Sequence, residues 1–249
     1  MTTAVFVHGN PETAAIWGPL LTALDHDDAI TLSPPGFGAP AAEDFAATAD
    51  AYAEWLISEV EQLGRPIDLV GHDWGAGHVF RVAVERPDLL RSWCIDIAGA
   101  FAPDYVWHDN AQVWQTPGAG EEFVANMLAA PSSDRAAIYE SIGITADVAA
   151  ELADAYDADM GRCVLALYRS AAQPAMAQLG ERLPEAAARP GLVIIATEDH
   201  YTGGEARARD CAARANAQVE VLDGLGHWWM LQDPQRGATA LQTFWATLS

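Results

Sequence analysis

The chain has 249 residues, with 35 acidic side chains against 13 basic ones, and its formal net charge is −22. This charge argues against nucleic acid and against anionic membrane surfaces as partners, because both require clustered Arg or Lys side chains. A hydrophobic fraction of 51% with 19% charged residues is typical of a globular protein. The length accommodates one α/β domain with a modest insertion.

The three cysteines, Cys94, Cys163 and Cys211, are widely spaced and form no C-x-x-C motif or Cys/His cluster. They predict neither a disulfide framework nor a metal site. The first residues lack the basic start and long apolar stretch of a signal peptide. No segment has the apolar length of a membrane span. We therefore expect a cytoplasmic protein that has no membrane partner.

Short apolar runs bounded by turn residues predict the strands of a buried parallel sheet. Four runs are strong and two are weaker. The strong runs are residues 4–7, 67–70, 95–98 and 192–196, and the weaker ones are 29–32 and 219–222. Helices are predicted at residues 45–63 and 77–85. Alternation of this kind predicts an α/β fold with a doubly wound, mostly parallel sheet.

The alternation is interrupted between residues 101 and 189. This stretch is rich in alanine and aromatic residues and has no convincing strand. We expect it to form an inserted helical lid, or cap. Residues 1–100 and 190–249 then form the core of the fold.

The segment Gly71-His72-Asp73-Trp74-Gly75 joins a predicted strand to a predicted helix. Its glycines permit a tight turn that projects the side chain of residue 73 from the top of the sheet, as in a nucleophile elbow. A helix N-terminus also favours a carboxylate. The alternative is an ordinary strand–helix turn in which Asp73 caps the helix. The motif alone does not decide between the two.

Two further segments favour the nucleophile. Residues His8-Gly9-Asn10-Pro11 follow the first strand, where the oxyanion-hole loop of such a fold belongs. Gly226-His227-Trp228 follows the last strand, which is the position of the base in the chain order of a catalytic triad. The third member should follow strand 192–196, where Glu198 and Asp199 are both available. We choose Asp199, because residue 198 should point back into the turn.

Together the His-Gly-x-Pro loop, the Gly-His-Asp-Trp-Gly elbow and the Gly-His-Trp loop resemble the haloalkane dehalogenase and epoxide hydrolase branch of the α/β-hydrolase superfamily. The resemblance spans residues 5–228. It implies the α/β-hydrolase fold with a lid before the last two strands, and a mechanism without metal or organic cofactor. One departure is the turn after the second strand, where Ser33 and Pro34 stand in place of the acidic residue usual in the family.

The residues suit the implied chemistry. The Asp73 carboxylate attacks an sp³ carbon and forms an ester, and His227, oriented by Asp199, activates the water that hydrolyses it. Backbone N–H groups near Asn10 and Trp74 hold the developing oxyanion. The expected substrate is a small apolar or neutral organic molecule, and the expected assembly is a monomer or homodimer.

The leaving group decides between the two activities. The side chains of Asn10 and Trp74 match the halide-stabilising pair of haloalkane dehalogenases, which makes C–halogen hydrolysis the first hypothesis. Tyr168, followed by Arg169, resembles a lid proton donor of epoxide hydrolases, and Pro11-Glu12 also resembles their version of the loop. Trp114 is either a further N–H donor or a packing residue of the lid.

Three other functions are less well supported. A serine esterase is disfavoured because no serine occupies the elbow. A fluoroacetate-type dehalogenase would carry arginine where this chain has Trp74. A non-catalytic small-molecule binder is disfavoured by the complete order of Asp73, Asp199 and His227.

Overall fold

A computed structural model describes residues 2–248 and contains one sheet of six parallel strands in the order β2-β1-β3-β4-β5-β6. The strands are β1 Ala4–Val7, β2 Ala29–Leu32, β3 Ile67–Gly71, β4 Leu90–Ile95, β5 Gly191–Ala196 and β6 Gln218–Leu222. The predicted doubly wound α/β sheet is confirmed. All six predicted strands are present, and five of them overlap most of the predicted run.

The exception is the fourth strand, which was predicted at residues 95–98 and lies at Leu90–Ile95. Polar residues at positions 91 and 92 break the apolar run that would have marked it. They are tolerated in the sheet because both bind Asp68 on the neighbouring strand. Arg91 Nε donates to Asp68 Oδ1 at 2.9 Å, and Ser92 Oγ donates to the same oxygen at 2.5 Å. Asp96 therefore lies just beyond the strand, and not inside it.

Helices cover both faces of the sheet. Outside the insertion they are α1 Gly18–Leu24, α2 Ala49–Gln62, α3 Trp74–Glu85, α10 Glu205–Arg214, α11 Trp229–Gln232 and α12 Pro234–Ala246. Alternate residues of β1 enter different clusters: Val5 and Val7 pack in one with α2 and α3, whereas Ala4 and Phe6 pack in the other with α1 and α12. This separation follows from the period of two along a strand.

Two predicted helices begin elsewhere than expected. The helix predicted at 45–63 begins only at Ala49, because the Thr48 side chain caps it by accepting from Ala51 N. The helix predicted at 77–85 begins at Trp74, directly after the elbow residue.

Six helices lie between β4 and β5, where the helical insertion was predicted. They are α4 Asp109–Gln115, α5 Ala119–Ala129, α6 Ser132–Ser141, α7 Ala146–Ala155, α8 Ala158–Ser170 and α9 Ala175–Glu181. Helix α8 begins at the Asp157 cap, whose side chain accepts from Met160 N. Its inner face buries Val164, Leu167 and Tyr168. The division of the chain into a core and a separate cap domain stays a prediction.

Candidate active site

Asp73 occupies the turn between β3 and α3 with φ 50° and ψ −125°. Positive φ is costly for a residue with a β-carbon and persists only where its surroundings enforce it. The Asp73 side chain does not cap α3. This geometry matches the elbow predicted from the sequence and differs from an ordinary N-cap.

Glycines make room for this turn. A β-carbon at Gly71 would overlap the backbone of α3 at Ala76, and one at Gly75 would overlap the carbonyl of Val7. A β-carbon at Gly9 would overlap the Asp73 carboxylate itself. The loop after β1 and the elbow therefore touch through backbone atoms, which brings the Asn10 N–H to Asp73 Oδ1 at 3.1 Å.

The predicted base and its partner meet beside Asp73. His227 Nδ1 lies 2.8 Å from Asp199 Oδ2, and His227 Nε2 lies 3.6 Å from Asp73 Oδ2. Asp199 also accepts the Tyr201 N–H at 2.8 Å, which fixes the carboxylate. Glu198, the alternative at sequence level, is exposed. The structure thus brings Asp73, His227 and Asp199 together in the order of a triad, and their catalytic roles stay predictions.

The ionisation of these groups follows from their mutual contacts. Burial disfavours a charged imidazole, but the Asp199 and Asp73 carboxylates raise the pKa of His227 well above its usual range. Burial would raise the pKa of Asp73, yet the adjacent His227 imidazole and its charge, with a smaller effect of the Trp74 N–H, lower it below its usual value. In the resting site Asp73 is therefore a carboxylate, as a nucleophile must be.

Two cavities adjoin Asp73. The larger, of about 240 Å³, is lined by Asn10, Asp73 and His227 from the core and by aromatic and aliphatic side chains of the insertion. The smaller, of about 20 Å³, lies against Trp74, Trp107 and Tyr168 and has room for one water-sized group. Asp73 and Tyr168 line both cavities.

The two predicted halide-stabilising side chains line different cavities. Asn10 faces the larger one, and both polar atoms of its amide are buried without a hydrogen-bond partner among residues 2–248. Of these two cavities, Trp74 lines the smaller one, where its indole lies edge-on to the Tyr168 ring with centroids 5.4 Å apart. The structure therefore does not bring Asn10 and Trp74 to a single cavity.

Tyr168 and Trp114 lie where the insertion covers Asp73. Their rings are 4.7 Å apart, and both line the larger cavity. Burial and the Asp73 charge raise the pKa of Tyr168 well above its usual range, so its hydroxyl retains its proton. The Trp114 indole N–H is buried and has no acceptor within the described chain.

Sequence reasoning missed several residues at the site. From the insertion, Trp107 offers a second buried indole N–H without an acceptor in the described part of the chain, and His108 lines both cavities. Tyr201 packs edge-on against His227 with ring centroids 5.1 Å apart. The Trp107-His108 pair just inside the insertion was an available signal, because aromatic residues next to a predicted lid often line its pocket.

Three missed residues form a buried network next to His227. His72 Nδ1 lies 2.6 Å from Asp96 Oδ2, and His72 Nε2 lies 3.3 Å from Glu12 Oε1. The His72 and His227 rings are 4.5 Å apart. His72 belongs to the elbow motif and Glu12 directly follows the loop motif, whereas Asp96 was hidden by the misplaced fourth strand.

Within residues 2–248, the group whose ligand atoms lie close enough to share a metal ion consists of Glu12, His72 and His227. Metal ligation requires unprotonated imidazoles. Burial lowers the pKa of His72, but Asp96 and Glu12 together raise it to about 10, so a proton competes at this position. The donor set is therefore a poor fit for a resident metal ion.

Comparison with known proteins places the chain in a family. The model of a family described as "Alpha/beta hydrolase family" matches residues 4–240. A haloalkane dehalogenase of Bradyrhizobium diazoefficiens is 35% identical over 91 residues, which are 35% of this chain and 29% of the relative. An (E)-2-((N-methylformamido)methylene)succinate hydrolase of Acinetobacter baylyi is 30% identical over 93 residues, 36% of this chain and 35% of that protein. Each match thus spans about a third of the relative's length.

Solved structures resemble the whole chain. A mutant of a putative epoxide hydrolase from Pseudomonas aeruginosa superimposes with a TM-score of 0.80 at 18% identity, covering 99% of this chain and 89% of that one. A loop variant of haloalkane dehalogenase DbeA from Bradyrhizobium elkanii gives 0.72 at 18%, covering 99% and 91%. At such identities the likeness establishes the fold. In the described part of the chain, no helix is both long and apolar enough to cross a bilayer.

Proposed function

The chain belongs to the alpha/beta hydrolase family, and within it we propose a cofactor-independent hydrolase that acts through an alkyl ester on Asp73 and cleaves carbon–halogen bonds. Asp73 carries this proposal, because a carboxylate with positive φ stands at the elbow, 3.6 Å from a histidine that pairs with a second carboxylate. A carboxylate in that place attacks an sp³ carbon and leaves a covalent ester.

The proposed reaction has two steps. An Asp73 oxygen bonds to the substrate carbon while the carbon–halogen bond breaks and halide leaves with the electron pair. His227 then removes a proton from water, whose oxygen adds to the Asp73 carboxyl carbon. The tetrahedral oxyanion collapses and releases the alcohol and the carboxylate. Overall, one alkyl halide and one water give one alcohol, one halide ion and one proton.

Backbone groups support the second step. The Asn10 N–H donates to Asp73 Oδ1 at 3.1 Å, and the Trp74 N–H also stabilises the carboxylate. When water adds to the ester, this oxygen acquires the negative charge that such donors stabilise. The loop after β1 and the elbow would then serve both the resting carboxylate and the intermediate.

Unused N–H donors around Asp73 favour halide as the leaving group. The Asn10 side-chain amide, the Trp107 indole and the Trp114 indole are all buried with no acceptor among the described residues. Leaving a buried donor unpaired costs about 1–3 kcal/mol. A departing anion would satisfy donors of this kind, and it needs no proton. Asn10 and Trp114 line the larger cavity, whereas Trp107 lines the smaller one.

The larger cavity suggests the substrate class. Its volume of about 240 Å³ and its lining of Trp114, Phe123, Met127 and other apolar side chains suit a small, apolar or neutral haloalkane. In a chain of net charge −22 the field also opposes anionic substrates.

Trapping the ester tests the mechanism. His227→Gln should still alkylate Asp73 but fail to hydrolyse the ester, so a bromoalkane should leave a stoichiometric mass gain on the Asp73 peptide. Asp73→Asn is the matched control and should gain nothing. Alkylation at another residue, or tight binding without any adduct, would rule out the mechanism; the latter result is expected of a non-catalytic binder.

Epoxide hydrolysis is the second candidate, because Tyr168, whose hydroxyl retains its proton, lines both cavities beside Asp73. Opening an epoxide yields an alkoxide that needs a proton, and Tyr168 can supply it.

The wild type, Asn10→Ala and Tyr168→Phe should be assayed in parallel on a bromoalkane and on styrene oxide. If the protein cleaves carbon–halogen bonds, Asn10→Ala should cost roughly 2–4 kcal/mol of transition-state stabilisation on the bromoalkane. Tyr168→Phe should then have little effect. Diol formation without halide release would favour the second candidate.

A further inference from the structure

A second carboxylate–histidine assembly lies directly behind the predicted base. His72 is fully buried, its Nδ1 is hydrogen-bonded to Asp96 Oδ2 at 2.6 Å, and its Nε2 lies 3.3 Å from Glu12 Oε1 without a hydrogen bond among the described residues. Both carboxylates are almost completely buried too. Burying charged groups is costly unless they are paired and hydrogen-bonded. The mechanism proposed above does not use any of these three side chains.

The network is also tied to the loop that carries His227. Trp228 Nε1 donates to Glu12 Oε1 at 2.6 Å, and Trp229 Nε1 donates to Asp96 Oδ2 at 2.9 Å. Two consecutive indoles thus anchor the residues after His227 to the two carboxylates that flank His72. A shift of His72 or its partners would therefore be transmitted to the position of His227.

The same network holds the nucleophile and the oxyanion loop. Asp96 Oδ1 accepts the Asp73 backbone N–H at 3.1 Å, and Glu12 Oε2 accepts the Gly9 N–H at 3.0 Å. The elbow, the loop after β1 and the His227 loop therefore share one set of buried polar contacts.

We propose that His72, held between the carboxylates of Asp96 and Glu12, is a positioning residue whose positive charge behind His227 keeps that ring available as a base. This inference rests on the proposed function, because it assigns His72 a part in the hydrolysis of the Asp73 ester.

Like charges at close range disfavour protonation of His227. The rings of His72 and His227 are 4.5 Å apart. If His72 stays protonated, protonating His227 places two imidazolium ions side by side, which disfavours the inactive form of the base. Asp199 acts in the opposite direction and favours protonation of His227. His72 thus offsets part of the effect of the carboxylate that orients the base.

Other titratable groups surround the two rings, and their charges also act on His227. They come from every element packed around the two rings: His8 and Glu12 after β1, Asp73 at the elbow, Asp96 after β4, Asp199 and Tyr201 after β5, and His108 from the insertion. Burial lowers the pKa of both His8 and His108. These two imidazoles are therefore neutral and do not supply the positive charge assigned to His72.

The test is the pH dependence of ester hydrolysis in single turnovers, followed by mass spectrometry of the Asp73 peptide. His72→Gln removes the positive charge, so His227 should bind its proton more tightly. The acid limb of the pH–rate profile is the range in which hydrolysis slows because His227 becomes protonated. In His72→Gln this limb should move to higher pH by about one unit or more. A purely structural role would lower the rate at every pH and leave the limb in place, and that result would overturn the proposal.

His78→Gln is the matched control. His78 is also buried and near the elbow, but it stacks on Tyr52 and Trp74, and burial lowers its pKa to about 3. This neutral imidazole should have no influence on the limb. If His78→Gln moves the limb as far as His72→Gln does, the charge on His72 is not the cause and the proposal fails.

A second test does not depend on the folding of His72→Gln. In the wild type, ring ¹⁵N shifts should show His72 doubly protonated at pH 8; a neutral ring would overturn the proposal. The absence of any Asp73 ester in His227→Gln would refute the proposed function itself, whereas an ester with unshifted limbs would refute only the role of His72.

Discussion

Gly9 approaches Asp73 so closely that any side chain at position 9 would overlap the Asp73 carboxylate. The contact joins the loop after β1 to the elbow after β3, two segments that meet because their strands are neighbours in the sheet. It places the Asn10 N–H 3.1 Å from Asp73 Oδ1. The loop can approach the nucleophile this closely because Gly9 has a hydrogen atom where any other residue has a β-carbon.

Gly9→Ala should accordingly lose activity out of proportion to its effect on folding. The added methyl must displace Asp73 or the loop, and a misplacement of about 1 Å at a reacting group can cost ~100-fold in rate. Turnover and thermal unfolding should be measured side by side. Gly18→Ala is the control, because no atom lies within 4 Å of a β-carbon built there. Equal losses in both variants would contradict this explanation.

The assignment of Asp199, and not Glu198, as the carboxylate that orients His227 can be tested by substituting each residue. Asp199→Asn removes the carboxylate 2.8 Å from His227 Nδ1 and should lower turnover by roughly 10⁴-fold, because the histidine loses its correct tautomer. Glu198→Gln changes an exposed side chain and should be nearly silent. Steady-state rates of the two variants decide the matter, and a damaging Glu198→Gln beside a silent Asp199→Asn would reverse the assignment.

The two chemical steps should respond differently to pH. Burial would raise the pKa of Asp73, but the adjacent His227 imidazole and its charge lower it, so the nucleophile stays ionised well into the acid range. Hydrolysis instead needs neutral His227, whose pKa is raised by Asp199 against the effect of burial. As pH falls, ester hydrolysis should therefore fail before ester formation does. Rapid-quench measurements of both rates on the Asp73 peptide test this, and coincident pH profiles would contradict it.

The sequence predicts the Asp73–His227–Asp199 arrangement because each residue follows a strand that an apolar run reveals. Parallel strands bring their carboxyl ends to one edge of the sheet, so position along the chain translates into proximity. Asp96 also follows a strand and remained hidden, because Arg91 and Ser92 interrupt its apolar run. Their pairing with Asp68, 23 and 24 residues earlier, is a long-range contact that no local pattern reveals.

The wall contributed by the insertion was harder to predict. Periodicity indicates helices between residues 101 and 189, but which face of each helix covers Asp73 depends on how the helices pack together. Tyr168 was singled out by its resemblance to a lid motif, whereas Trp107 and His108 were marked only by their place at the start of the aromatic-rich insertion. The separation of Asn10 and Trp74 between two cavities likewise depends on Tyr168 and its neighbours filling the space around the elbow.

The bulk and the indole N–H of Trp114 can be removed separately. Its ring packs 4.7 Å from Tyr168 and 5.6 Å from Phe123 in the wall of the larger cavity. Trp114→Ala should enlarge this cavity of about 240 Å³ and shift kcat/KM toward longer haloalkanes, because the space it leaves can accept extra methylene groups. Trp114→Phe should keep most of the size preference while losing the N–H.

Trp245, which lies in α12, provides the comparison. Its indole N–H is also buried without an acceptor in the described chain, but its ring packs on His26 and lines neither cavity beside Asp73. Trp245→Phe should leave both rate and size preference unchanged. If Trp114→Phe alone costs about tenfold or more on every haloalkane, equivalent to ~1.4 kcal/mol, the indole acts as a donor to the leaving halide. If instead only Trp114→Ala changes the preference, and does so for long substrates, Trp114 sets the size of the pocket through its packing against Tyr168 and Phe123, and Asn10 remains the unpaired donor in this cavity.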